Sequence, residues 1–300
     1  MTRVALLSVL LCVGIVPAGF VASQASPVPA ATPSAIVAGL SGQASVRANG
    51  DTARALRLFD RLEVGATVET GDDGDVVLVF RGGERARIGG GSRGRVEATH
   101  LTPLHGTVTP LAAVSPVPIV APVRAAGTTI TAVRIRAGGI AVRGPAHGVT
   151  TLPDHTVLHF DPVAAAARYE VEIEAPDATV VYRAESDASP VAVPAGVLQP
   201  GRDYRWLVRT RSATGFALSG EGRFTTLARE AGAARERLRA SLGTMDGAVA
   251  LLAEVDWTLG LWPEALDGFR SAGATDAVIA DRIAAIERRL AGRSASPHER

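Results

Sequence analysis

Hydrophobic residues in this chain change their period part-way along, and that change points to β structure followed by helices. From Gly39 to about residue 100 the apolar runs are short. Turn chemistry separates them at Ala48-Asn49-Gly50-Asp51, Gly71-Asp72-Asp73-Gly74 and Arg81-Gly82-Gly83-Glu84. The pieces between predict strands at Ala44–Arg47, Arg61–Gly65, Thr67–Thr70, Asp75–Phe80, Arg85–Ile88 and Arg95–Ala98, a small all-β unit. From Ala228 the spacing becomes helical. Ala228–Leu242, Gly247–Leu259 and Asp276–Leu290 read as helices, with Asp246 as the cap of the second. Val278, Ile279, Ile283, Ile286 and Leu290 form one stripe of the last.

Two more segments carry a pattern. In Arg168–Ile173, Tyr169, Val171 and Ile173 alternate onto one face, and Thr156–Phe160 reads as a strand before it. The run from Asp60 (DRLEVGATVETGDDGDVVLVFRGG, then RIGGGSRGRVE) resembles the FecR domain over residues 39–100. The run Leu198-Gln199-Pro200-Gly201-Arg202-Asp203-Tyr204-Arg205-Trp206-Leu207-Val208 resembles the turn, corner tyrosine and core strand of a fibronectin type III-like sandwich, over residues 144–227. There Tyr204 and Trp206 are expected in the core, with Phe160 near the place of the usual second-strand Trp. Leu259–Ala272 (LGLWPEALDGFRSA) is similar to one tetratricopeptide unit within 228–292. The small Gly260 and Ala265 would let two helices approach, and Trp262 and Phe269 would fill the seam. The fold class expected is therefore mainly β: a small FecR-like β domain, a fibronectin type III-like β-sandwich and a short α-helical C-terminal unit. A connector with one or two strands (101–143, including Thr129–Arg136) joins the β units, and 293–300 is a tail.

The N-terminus reads as a secretory signal peptide, residues 1–25. Arg3 precedes an apolar Val4–Val16 core, and Ser23 and Ala25 provide small residues for cleavage. Residues 26–38, rich in Pro, Ala and Ser, read as a linker. Retention of Val4–Val21 as an anchor is the rival reading. Cys12, the one cysteine, lies inside the apolar core behind Leu11, which argues against lipidation. A cleaved chain would carry neither a disulfide nor a Cys-based metal site. With 47% hydrophobic and 20% charged residues the chain has enough apolar surface to fold. Its 31 basic residues, all Arg, balance 30 acidic ones, so no chain-wide basic field draws in nucleic acid.

The candidate chemistry is thin. Gly89-Gly90-Gly91-Ser92-Arg93-Gly94 satisfies G-x-G-x-x-G, but a strand rather than a helix follows it, so a hairpin turn is expected and not a phosphate cradle. Asp72, Asp73 and Asp75 lack the distal Glu of a calcium loop. His155 and His159 lie four apart on a strand, about 13 Å, too far to share an ion. His100 and His105 have no metal-ligand pattern nearby, and no Ser, His and acid together carry a recognisable local catalytic signature. The Arg-rich 228–239 run, interleaved with Glu230 and Glu236, reads as a solvated helix face. The expectation is thus no catalytic residue, no cofactor and no metal. Trp257, Trp262 and Phe269 are the candidate partner contacts, to be covered by the sandwich or by a separate protein.

Together these readings describe a non-catalytic exported, periplasmic or secreted FecR-domain protein, a binding or scaffold module of the cell envelope. Its partner would be an envelope protein or a cell-wall polysaccharide, with membrane contact only through a retained N-terminal segment. The alternatives are an inner-membrane-anchored sensor of FecR type facing the periplasm, and a cell-wall or polysaccharide-associated enzyme.

Overall fold

Turn glycines and alternating apolar residues build ten short strands in the first part of the chain. The computed structural model describes residues 33–48, 51–117, 139–145, 148–163, 168–211, 217–243, 245–273 and 276–291. The strands are β1 (Ala35–Ser41), β2 (Ala44–Arg47), β3 (Arg54–Ala55), β4 (Arg61–Leu62), β5 (Thr67–Thr70), β6 (Asp75–Phe80), β7 (Arg85–Ile88), β8 (Arg93–Val96), β9 (Leu101–His105) and β10 (Val108–Leu111). They form two antiparallel sheets of order β10-β7-β6-β1-β4 and β3-β2-β5-β8-β9. Val37, Val68, Leu78, Phe80, Ile88 and Val96 share one core with further residues of both sheets. Pro103 and Pro110 lie in β9 and β10, both edge strands, where a missing N–H costs no ladder bond.

Several boundaries differ from the sequence reading. The linker assigned to 26–38 ends early, because Ala35, Ile36, Val37 and Ala38 are buried strand. The connector assigned to 101–143 begins with β9 and β10, which belong to the first unit. Its Thr129–Arg136 strand and the 1–25 signal peptide fall outside the described residues, as do the 293–300 tail and the Asn49-Gly50 turn. The glycine run at 89–94 does not close a hairpin: it carries the chain from β7 in one sheet to β8 in the other. A Cβ at Gly90 would lie 2.1 Å from the Asp72 carbonyl oxygen, so the crossing needs glycine there.

The second unit contains β11 (Val142–Gly144), β12 (Val149–Thr151), β13 (Val157–Phe160), β14 (Tyr169–Glu174), β15 (Val180–Ser186), β16 (Val191–Ala192), β17 (Asp203–Arg211) and β18 (Ala217–Thr226). A three-stranded sheet, β11-β13-β16, and a five-stranded sheet, β12-β18-β17-β14-β15, enclose a second core. Pairing is antiparallel except for β12 with β18. Tyr169, Val171 and Ile173 are buried as the alternation predicts. Trp206 is fully buried and donates from Nε1 to the Pro145 carbonyl at 2.9 Å. The Tyr204 hydroxyl accepts the Gln199 N–H at 2.9 Å, a corner that ties β17 to its preceding turn. Phe160 packs on Tyr169 with ring centroids 4.7 Å apart. On the opposite face of this sheet the buried Glu172 takes Arg209 at 2.6 Å and also Arg183, while Arg205 bridges Glu174 and Glu221. The chain is thus mainly β, with four helices closing it.

Candidate functional site

The helices are α1 (Arg229–Leu242), α2 (Ala248–Leu259), α3 (Trp262–Ala272) and α4 (Ala277–Ala291). Asp246 does not cap α2. Gly247 occupies that position at φ 77, with no side-chain cap bond. Asp276 does serve α4, accepting the Val278 N–H at 2.7 Å. Gly260 turns α2 into α3 at φ 79, and its carbonyl accepts the Thr150 N–H of β12 at 3.1 Å. Close approach of the two helices rests on Gly268 rather than Gly260, since a Cβ at 268 would sit 2.8 Å from the Ala253 Cβ.

The three candidate contacts divide. Phe269 is 0% exposed and Trp262 6%, whereas Trp257 is half-buried. Phe269 meets Phe59 of the β3–β4 turn, ring centroids 6.0 Å apart and tilted by 57°. Ile36, Ala38, Val79, Val114 and Val117 belong to the same core cluster as the helices. The cover for the seam is therefore the chain's first β unit, which neither expectation named, and β1 and β6 are apolar on both faces because helices lie behind them. Phe59 sits at φ 65, a region a bulky residue adopts only when its surroundings hold it there. Trp262 and Trp257 form an edge with centroids 6.4 Å apart, and the Arg289 guanidinium stacks 4.8 Å from Trp257 and 5.3 Å from Trp262.

Charged groups run through this helical core. Glu254, 1% exposed, accepts Arg282 of α4 at 2.9 Å and Arg61 of β4 at 3.3 Å, joining helices to the first β unit. Asp256 accepts both forks of Arg235 at 2.5 and 2.8 Å. Arg235, expected on a solvated face, is thus a buried ion-pair partner. Burial pushes the Glu254 and Asp256 carboxyls up, against the pull of their arginines. Glu264, in the first turn of α3, is also pushed up by burial, with the charge of Asp256 adding to it, and its Oε2 is buried without a hydrogen-bond partner. These contacts fix helices to one another and to β4.

Elsewhere the candidates lie apart. Asp75 pairs with Arg87 at 2.7 Å. His155 ends a 3-10 turn (Pro153–His155) and His159 is exposed on β13. His100 and His105 are exposed. Among the described residues no group of His, Cys, Asp or Glu is placed to hold a metal ion. An open groove of about 550 Å³ lies at Gln199–Arg202 and Ala228–Glu230, where the second unit meets α1.

No family model matches the chain, and no curated protein matches it. Solved structures that match locally include a cell surface anchoring domain, 34% identical over 22% of this chain and 86% of that one, with a TM-score of 0.21. CopC from Methylosinus trichosporium OB3b is 17% identical over 30% of this chain and 95% of its own, with a TM-score of 0.25. Each spans less than a third of the chain.

Proposed function

We propose that this chain is an exported, non-catalytic binding or scaffold module of the cell envelope, with a FecR-like first unit, a fibronectin type III-like second unit and a tetratricopeptide-like helix pair. The observation that carries the reading is the helical unit's union with the β units. Phe269 against Phe59, Glu254 between Arg61 and Arg282, and Thr150 on Gly260 tie the three parts together. Such a body presents sheet faces and helix edges for contact. The corner bond of Tyr204 and the buried Trp206 support the fibronectin-like assignment of the second unit. Among the described residues no helix is long and apolar enough to cross a membrane. Export rests on the Arg3, Val4–Val16 and Ser23/Ala25 pattern. N-terminal sequencing of protein recovered from the envelope should begin near Ser26. An intact Met1 in the membrane pellet would instead support the anchored sensor.

A further inference from the structure

The outer face of the β3-β2-β5-β8-β9 sheet sorts its charges unevenly. Alternation turns Val46, Val68, Gly94 and Leu101 inward and leaves two cross-strand rows outside. One row reads Arg47–Thr67–Arg95–Thr102 and the other Ser45–Glu69–Arg93–His105. Three arginines therefore face one carboxylate, in a chain whose charges otherwise nearly cancel. Arg93 engages that carboxylate at 3.0 Å. Arg47 and Arg95 are exposed and have no carboxylate partner among the described residues. They stand two strands apart, about 10 Å at the spacing of a β ladder. The local field is visible on Glu69, whose carboxyl is held below its ordinary value first by the Arg93 hydrogen bond, with Arg47 and His105 adding to it.

We propose that this face binds an acidic, carboxylate-bearing polysaccharide, with Arg47 and Arg95 each taking a uronate carboxylate and Thr67 and Thr102 meeting sugar hydroxyls. The inference rests on the envelope-binding reading above and names its ligand class. Guanidinium forks match carboxylates in a bidentate fashion, and hydroxyls alternating with them along the row suit a polyol. The face carries no Trp, Tyr or Phe. It therefore lacks the stacking platform of single-stranded nucleic acid sites, and charge must supply the affinity.

The test uses the full chain, titrated with polygalacturonate and with neutral dextran of matched length. Wild type should bind polygalacturonate and not dextran, and binding should fade as salt rises from about 0.05 M to about 0.5 M. Arg47→Glu/Arg95→Glu should bind about tenfold more weakly with an unchanged melting temperature, since both side chains are exposed. Arg47→Lys/Arg95→Lys should fall between, and Arg223→Glu on β18, equally exposed, should bind like wild type. Equal binding by the Glu double variant, equal binding of dextran, or tighter binding to phosphatidylglycerol vesicles than to polygalacturonate would each overturn the assignment. So would failure of wild type to bind, even if envelope protein beginning near Ser26 upheld the export reading. Cytosolic protein that binds the polymer would defeat the export reading alone.

Discussion

Replacing Phe269 by Ala should loosen two parts of the molecule at once. Phe269 is fully buried, and its ring lies 6.0 Å from that of Phe59 across the boundary between helices and first β unit. Emptying such a site costs about 3–5 kcal/mol, the lost transfer energy plus the cavity left behind. For a body of this size that corresponds to a melting temperature lower by roughly 6–20 °C. The aromatic pair itself should contribute about 0.5–1.5 kcal/mol of coupling, measurable with Phe59→Leu, Phe269→Leu and the double variant. Urea unfolding followed by tryptophan fluorescence suits the purpose. All three tryptophans, Trp206, Trp257 and Trp262, lie outside the first β unit, so a shift caused by Phe59→Leu must be transmitted through the contact. If the two single effects simply add, or if Phe59→Leu leaves the tryptophan transition in place, the helices are not held by this contact and the reasoning fails.

Trp206→Ala should cost about 3–5 kcal/mol by emptying the second core and stranding the Pro145 carbonyl, as a urea melt would show. Glu254→Gln should destabilise by about 3–5 kcal/mol in the same assay, because two partly buried guanidinium groups lose their shared counter-charge. Glu264 has a folded-state carboxyl pushed up by burial, so the native chain keeps a proton that the unfolded chain has released. Its contribution is favourable on the acid side and is lost as pH rises through the folded value. Lowering pH toward the ordinary carboxylate range should therefore raise this group's contribution to stability, and Glu264→Gln should flatten that rise in thermal melts. Removal of residues 228–300 should bare Ile36, Phe59 and Val79 and increase dye binding by exposed apolar surface.

Local signals were enough for much of the fold. Ala44–Arg47, Thr67–Thr70, Asp75–Phe80 and Arg85–Ile88 emerge with the predicted limits because glycine turns and side-chain alternation act over a few residues. β1 was hidden by the Pro, Ala and Ser composition leading into it, although Ile36 and Val37 are good strand residues. The proline-containing β9 and β10 looked like connector because nothing local says that a strand will be an edge. Arg235 looked solvated because its partner Asp256 stands 21 residues away on another helix. Trp262 and Phe269 are buried, and what packs on Phe269 is Phe59, whose left-handed backbone leaves no mark in the sequence. The arginine rows on β2 and β8 depend on strand register, which alternation alone does not fix.

The union of α2–α4 with β1 and β6 also sets a timetable. Arg61 and its partner Glu254 are separated by 193 positions. At about 5–20 residues per second, synthesis leaves roughly 10–40 s between the emergence of Arg61 and that of Glu254. Throughout that interval the outward row of Ile36, Ala38 and Val79 is bare, on a sheet whose other face can already pack. The nascent chain must then be kept from joining its neighbours through that surface, and ribosome stalling inside the second unit prolongs the hazard. A clip between the first β unit and α2 separates that unit from the helices whose core it shares.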